Sequence, residues 1–258
     1  MSECAYRRND FDRALTGFEY VASRPTSEFS EPATQGAATI RVDRKEYDKA
    51  LSLYRNLSNV ASFATNILIA EVGIMRCEYQ LGNYENAIAS ADKVIKDPNV
   101  SEELLTEARL MKGRIYFTNG NYEQAKPIFT QLTKKADSKE GAEAKFRLAQ
   151  IAYEQSDLDE AENQIFELAQ GFGSFDFWKV KGFILLSDVY VSRKDYFQAR
   201  ATLQSVIDNV KDENFVNEAK AKMEALNKAE QDTISAGDTL SGPDSLDYED
   251  DYRNLIED

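Results

Sequence analysis

The chain has 258 residues, enough for one or two ordinary domains, and carries 45 acidic against 31 basic residues, a net charge of −14. This acidity argues against nucleic-acid binding, which needs basic side chains to neutralise phosphates. The chain has no histidine, and its two cysteines, Cys4 and Cys77, are too far apart in sequence for a disulfide framework or a metal knuckle. We therefore expect no cofactor and no metal. No apolar run approaches the ~18 residues of a membrane span.

A short phrase recurs six times along the chain: an aromatic residue or leucine, two mostly polar residues, and an alanine. The alanines are Ala14, Ala50, Ala87, Ala125, Ala161 and Ala199, spaced 36, 37, 38, 36 and 38 residues apart. Residues four and seven positions after each alanine are nearly all large and apolar. That spacing is typical of one face of an amphipathic helix. Each phrase therefore predicts a helix, here called the B helix of its repeat.

A second helical pattern precedes the phrase in each complete repeat and predicts an A helix, so that the repeat reads helix, tight turn, helix. Seven positions before the turn residue, four repeats have a small residue that lets the B helix approach closely: Ala38, Gly113, Ala149 and Ser187. The third repeat departs from this pattern. It has Met75 at that position and Ala91 where the other B helices have a large residue, and we interpret the two as compensating in volume.

Two further departures concern the first and fourth repeats. Only a few residues precede the first turn, so most of that A helix is missing. We expect the chain to be the C-terminal part of a longer array, the alternative being a natural start with an atypical end repeat. Pro127 is expected within or just past the first turn of its B helix, where a missing N–H has little or no intrahelical partner to lose.

The end of the chain has a different composition. Residues 214–231 show a helical pattern without a turn phrase, and 211–231 are assigned as a capping helix after a repeat array over 1–210. Residues 232–258 hold nine acidic residues and one arginine, and are predicted to be disordered unless docked. One hypothesis is that this tail docks in its own or a neighbour's groove; the alternative is a solvated tail.

The six phrases, the paired helices and the small residue inside helix A resemble the tetratricopeptide repeat, and the resemblance covers about residues 1–210. It implies an all-α fold: a right-handed superhelical α-solenoid of about six helix-turn-helix units with a C-terminal capping helix. In that family the A helices line a concave groove that binds peptide segments. The resemblance therefore implies a protein or peptide partner.

Positions six and three before each turn residue are the candidate groove positions that the resemblance implies. The candidates are Arg76, Tyr79, Arg114, Phe117, Gln150, Tyr153 and Asp188. Arginines can clamp carboxylates with two hydrogen bonds, and aromatic rings supply apolar contact. The groove is thus predicted to take an acidic and aromatic peptide. The alternative is a solvated helix face whose aromatic residues fill the gaps between repeats.

A second candidate patch is the segment 171–178, which contains four aromatic residues between the fifth and sixth repeats. They are Phe172, Phe175, Phe177 and Trp178. We interpret them as packing between helix pairs; if they are exposed, they mark a partner site.

The leading function is a non-catalytic interaction scaffold. The alternatives are an all-helical enzyme with paired carboxylates and a cytosolic co-chaperone-like adaptor. Residues 142–165 resemble tetratricopeptide proteins of bacterial envelopes, and the whole chain resembles the C-terminal part of large Bacteroides-type members. That resemblance implies a periplasmic or outer-membrane-associated location if an export signal precedes the chain, and a cytoplasmic one otherwise. Self-association could use the truncated first repeat or the tail.

Overall fold

The computed structural model describes residues 2–24, 27–135, 138–174 and 176–235, with side chains as far as residue 228. All regular structure in these residues is α-helical, which confirms the all-α class. The thirteen helices of the described residues are α1 Ser2–Arg7, α2 Phe11–Ala22, α3 Ser30–Asp43, α4 Tyr47–Val60, α5 Ala64–Gln80, α6 Tyr84–Lys96, α7 Glu102–Thr118, α8 Tyr122–Leu132, α9 Lys139–Glu154, α10 Leu158–Gly171, α11 Asp176–Ser192, α12 Tyr196–Asn209 and α13 Glu213–Ser235.

The chain divides into two compact units, Met1–Gly120 and Asn121–Asp258. In the first, each helix from α1 to α7 packs against the next, and α5 also contacts α3 and α7. In the second, each helix from α8 to α13 packs against the next, and α11 also contacts α9 and α13. Each unit is thus a stack of helices that contact only near neighbours along the chain, the arrangement of an α-solenoid.

The alanine of the repeated phrase lies on a B helix in every repeat, and all six are fully buried. The small residues predicted on the A helices, such as Ala38, Ala149 and Ser187, are buried as well. Short side chains on both helices leave room for the backbones to approach. Met75 and Ala91 are both fully buried in one core cluster of α5, α6 and α7, and the interpretation that their volumes compensate stays a prediction.

The turn between the paired helices has a left-handed residue in all six repeats, although only two of those residues are glycine. The six residues are Asn9, Lys45, Gly82, Gly120, Ser156 and Lys194, with φ between 59° and 76°. In one example, the Gly82 N–H donates to the Tyr79 carbonyl at 3.1 Å and the Asn83 N–H donates to the Glu78 carbonyl at 2.9 Å. These two bonds form the Schellman motif that closes helix C-termini. Glycine therefore relieves strain in the turn but is not required to form it.

Pro127 is the sixth residue of α8, because the helix begins at Tyr122 after the N-cap residue Asn121. The expectation that its missing N–H has little or no intrahelical partner to lose was wrong. Only the first four N–H groups of a helix lack an intrahelical acceptor. Proline at this position has no N–H to donate to the carbonyl of Glu123, four residues earlier.

The last helix, α13, buries Phe215, Ala219 and Leu226 against the core of the second unit. It contacts both α11 and α12, which is the packing expected of a capping helix. It begins at Glu213 and ends at Ser235, so it includes the first four residues of the predicted tail. Residues 236–258 lie outside the described residues, and the predicted disorder and docking of the tail remain predictions.

Candidate protein-interaction surface

Neighbouring A helices contact each other directly in both units. In the first unit α5 contacts α3 and α7, and in the second α11 contacts α9 and the capping helix α13. Because α13 packs on α11 and α12 as α11 packs on α9 and α10, it is counted here with the A helices. We call the faces formed by these helices the A-helix surfaces. All seven candidate groove residues lie on helices of this set.

Arg76 on α5 is held by two hydrogen bonds to a neighbouring helix. Its Nε and one terminal nitrogen donate to the two carboxylate oxygens of Glu107 on α7, each at 2.6 Å. The hydrogen bonds to Glu107 raise the pKa of Arg76 above its ordinary value. The Arg76 side chain is nevertheless 49% exposed and that of Glu107 is 36% exposed. Arg76 thus binds a carboxylate of the chain itself through two hydrogen bonds, and the prediction that it binds a carboxylate of a ligand stays a prediction.

The other three candidates of the first unit are half-buried. Tyr79 packs against the core cluster of α5 to α7, and its ring centroid lies 6.0 Å from that of Tyr84. Arg114 and Phe117 lie on the last two turns of α7. Arg114 follows Glu107 by seven residues, so the two share one face of that helix.

The candidates of the second unit also contact neighbouring side chains. The Tyr153 hydroxyl on α9 lies 3.3 Å from the hydroxyl of Ser192 on α11. Asp188 on α11 accepts hydrogen bonds of 2.6 and 2.8 Å from the ammonium of Lys222 on α13. These pairs link consecutive A helices. Gln150, by contrast, accepts a 2.8 Å bond from an arginine on its own helix, α9.

Sequence reasoning missed Glu107 and Lys222, the partners of Arg76 and Asp188. They lie 31 and 34 residues after those partners, close to one repeat length, on the next A helix. No local pattern marks them, because the contacts are made between repeats. A search for opposite charges about one repeat apart on predicted A helices would have found both.

Sequence reasoning also missed two buried acidic residues that form hydrogen bonds between A helices and B helices or turns. Glu78 on α5 is almost fully buried. Its carboxylate accepts a hydrogen bond from Arg55 on α4 and another, at 2.8 Å, from the side-chain amide of Asn83. Glu71, also on α5, accepts bonds of 3.1 and 3.0 Å from Ser58 and Lys93. These buried acids are paired with B-helix or turn residues, so we assign them to holding the helices together rather than to ligand contact.

An aromatic cluster lies at the start of α11, and we call it the Phe177 platform. It consists of Phe146 on α9, Phe177, Trp178 and Lys181 on α11, and Phe215 on α13. The Phe177 ring centroid lies 4.9 Å from that of Trp178 and 5.4 Å from that of Phe215, and Phe146 lies 5.5 Å from Trp178. The Lys181 ammonium lies 5.3, 5.9 and 6.0 Å from the rings of Phe177, Trp178 and Phe146. Three rings of α9 and α11 thus lie near one cation, and the Phe215 ring of α13 packs on the exposed one, Phe177.

The aromatic segment 171–178 contributes to this platform. Phe172 and Trp178 are buried, at 5% and 7% exposure, as expected of residues that pack between helix pairs. Phe177 is 51% exposed, so it has the exposure expected of a partner site. Phe175 lies outside the described residues.

The comparisons with known proteins support the repeat prediction. Residues 110–177 match the family model described as the tetratricopeptide repeat. A tetratricopeptide repeat protein from Parabacteroides merdae superposes with a TM-score of 0.65 at 17% identity, over 99% of this chain and 94% of that one. The protein BtubC (BKLC) from P. vanneervenii superposes with a TM-score of 0.58 at 14% identity, over 92% and 96%. No sequence among curated proteins matches.

Residues 110–177 therefore belong to the tetratricopeptide repeat family, and the fold of the chain as a whole is similar to that of a solved tetratricopeptide repeat protein. At identities of 17% and 14%, the similarity to these solved structures shows the fold and says nothing about function. Within the described residues, no helix combines the length and apolarity needed to cross a bilayer.

Proposed function

We propose that the chain is a non-catalytic scaffold that binds an extended protein segment along its A-helix surfaces. The observation that carries the proposal is the bidentate pair of Arg76 and Glu107, which joins α5 to α7. It is half-exposed and has the geometry in which arginine binds a carboxylate of a ligand. Tyr79 and Phe117, on the same two helices, would supply apolar contact beside it.

The internal partner does not prevent binding. Ion pairs exposed to solvent contribute about 0–1 kcal/mol, because water and salt screen them. An acidic residue of a ligand can therefore replace Glu107 at little cost and gain further contacts along the helices. In this proposal Glu107 is a competitor for Arg76, so removing its charge should favour the ligand.

The test starts from random peptides displayed on phage and selected on the whole chain. The affinity of the selected peptides is then measured by fluorescence polarisation for three variants. We expect Arg76→Gln to weaken binding about tenfold, which corresponds to about 1.4 kcal/mol. We expect Glu107→Gln to strengthen it several-fold. Glu85→Gln, which removes an exposed acid on the B helix α6, is the matched control and should change nothing.

The opposite effects of Arg76→Gln and Glu107→Gln are the decisive outcome. If the pair only braces α5 against α7, both substitutions weaken binding equally by loosening the same contact. Equal losses, or an Arg76→Gln protein that binds like the parent, would contradict the assignment of Arg76 to ligand binding. Failure to select any peptide would contradict the scaffold function itself.

We further propose that the scaffold works in a bacterial envelope assembly. The resemblance of residues 142–165 to envelope tetratricopeptide proteins supports this location. Antibody detection in periplasmic and cytoplasmic fractions of the native host would test it. Recovery with the cytoplasmic fraction alone would contradict it.

A further inference from the structure

The Phe177 platform combines an exposed aromatic ring with a cation that has no carboxylate partner among the described residues. Lys181 is half-buried, and its described contacts are the three aromatic rings. Other partly buried cations of the second unit differ: Lys222 is bound to Asp188, Lys145 to Glu167, and Arg193 to two carboxylates. Lys181 therefore retains an uncompensated charge and three N–H donors at the edge of an apolar surface.

The chain contains one segment whose chemistry complements this platform. Residues 244–252, DSLDYEDDY, hold five acidic residues, two tyrosines and no basic residue. Carboxylates suit the Lys181 ammonium, and a tyrosine ring can stack on the exposed face of Phe177. The one acid at the start of α11, Asp176, is paired with Lys179 at 3.1 Å, which offsets its repulsion of an acidic ligand.

The chain between α13 and this segment is long enough for the segment to reach the Phe177 platform. Phe215 packs on Phe177 near the start of α13, and the helix continues for 20 residues to Ser235, about 30 Å at 1.5 Å per residue. The 13 residues from Ser235 to Tyr248 can span up to about 43 Å when extended. The chain can therefore run back along α13 and bring Tyr248 to the platform.

We propose that the Phe177 platform is a docking site for the acidic segment 244–252 of the same chain, with Lys181 bound to its carboxylates and Phe177 to one of its tyrosines. This inference goes beyond the proposed function and does not depend on it. It places the docking site of the tail in the second unit rather than at the arginine positions, because the tail follows α13, whose Phe215 is part of the platform. Covalent linkage gives the tail a high local concentration, so a partner that uses this face must displace it.

The test uses the single tryptophan of the chain, Trp178, which lies in the platform and gives one indole N–H signal in a ¹⁵N-correlated spectrum. A nitroxide spin label is attached through Ser245→Cys, which keeps both tyrosines and all five acids of the segment, in the full chain carrying Cys4→Ser. Cys77 is fully buried and stays unlabelled. We expect the label to remove most of the Trp178 indole intensity, and 1 M salt to restore part of it by screening Lys181.

Two substitutions in the platform and one control outside it define the site. Lys181→Glu and Phe177→Ala should restore the indole signal, with the docked-to-free ratio falling about fivefold for the charge reversal. Lys220→Glu, an exposed lysine on α13 without a described partner, is the matched control and should leave the broadening unchanged. Lys181→Met keeps the aliphatic packing without the charge and replaces Lys181→Glu if that protein loses helical circular dichroism.

Four outcomes would overturn the proposal. The first is an unbroadened indole in the labelled parent, and the second is broadening that survives both platform substitutions. The third is an equal effect of Lys220→Glu. The fourth comes from a mixture of ¹⁵N-labelled parent without a spin label and spin-labelled chain without ¹⁵N. If the indole signal broadens in that mixture as much as it does within one doubly labelled chain, the segment that docks belongs to a second copy.

Discussion

At the scale of the residue, the turns between paired helices concentrate backbone strain at one position. Asn9, Lys45, Ser156 and Lys194 have the left-handed conformation that Gly82 and Gly120 adopt in the other two turns. A left-handed residue with a Cβ costs about 1–2 kcal/mol, least for asparagine. These positions therefore offer simple tests of how much the turn contributes to stability.

We predict that Lys194→Gly raises the free energy of unfolding by up to about 1 kcal/mol, since relief of strain exceeds the entropy that glycine loses on folding. Gly120→Ala should lower it by about 1 kcal/mol. A Cβ at Gly120 would meet nothing within 4 Å, so that loss would be due to the backbone alone. Urea denaturation of both variants measures the effects. A stabilising Gly120→Ala would show that the turn differs from the one described.

Cys77 provides a prediction about alkaline pH. It is fully buried on α5, and burial raises the pKa of its thiol to about 11 from an ordinary value of 9.0. Between pH 9 and 11 the unfolded chain loses this proton while the folded chain keeps it. The contribution is fully present below pH 9, and the free energy of unfolding should fall as pH rises through this window, by about 2 to 3 kcal/mol at most.

Denaturation at pH 8, 9, 10 and 11 measures this fall. Cys77→Ala should make the decline shallower, whereas Cys4→Ala, which alters the exposed cysteine, should not. Parallel curves for the parent and Cys77→Ala would rule out the buried thiol as the source.

At the scale of the element, the B helices were easier to predict than the A helices. Each B helix buries one stripe, as around Ala125, Phe129 and Leu132 of α8, so its sequence carries a clear helical period. An A helix such as α11 packs against α9, α10, α12 and α13, and apolar residues surround it. Its helical pattern is therefore weaker than that of a B helix, although it still predicted the A helix before the turn phrase.

The position of Pro127 in α8 yields the prediction at this scale. A proline in a helix interior costs about 3 kcal/mol relative to alanine, because it lacks an N–H and its ring clashes with the carbonyl four residues earlier. Pro127 is exposed, so its replacement changes little packing. Pro127→Ala should raise the free energy of unfolding by about 1–3 kcal/mol in urea denaturation. Thr130→Ala, an exposed change on the same helix, is the control and should stay within about 0.5 kcal/mol. Equal stability of Pro127→Ala and the parent would mean that α8 has adapted to the proline.

At the scale of the whole molecule, stability should depend on contacts between neighbouring elements, as in other solenoids. The last helix, α13, buries Phe215, Ala219 and Leu226 against α11 and α12. A chain that ends at residue 210 leaves that apolar surface uncovered. The helices α2 to α4, whose described contacts all lie within the first unit, should be unaffected.

We therefore predict that truncation after residue 210 lowers hydrogen-exchange protection of α11 and α12 by one to two orders of magnitude, equivalent to about 1.4–2.7 kcal/mol of local stability. Protection of α2 to α4 should not change. Truncation after Ser235, which keeps α13, is the control for loss of the tail. Equal loss of protection in α2 to α4 would show that the chain unfolds as a single cooperative body.

The sequence by itself determined the repeat, its length, the paired helices and the six buried alanines, because these depend on contacts within one repeat. The resemblance to the tetratricopeptide repeat added the prediction that a binding surface lies on the A helices. Only the tertiary structure decided which charges on that surface are already paired. Arg76 meets Glu107 and Asp188 meets Lys222 across repeats, whereas Lys181 is surrounded by aromatic rings. The physical reason is that the surface forms between repeats, where residues about one period apart contact each other and no local pattern records the pairing.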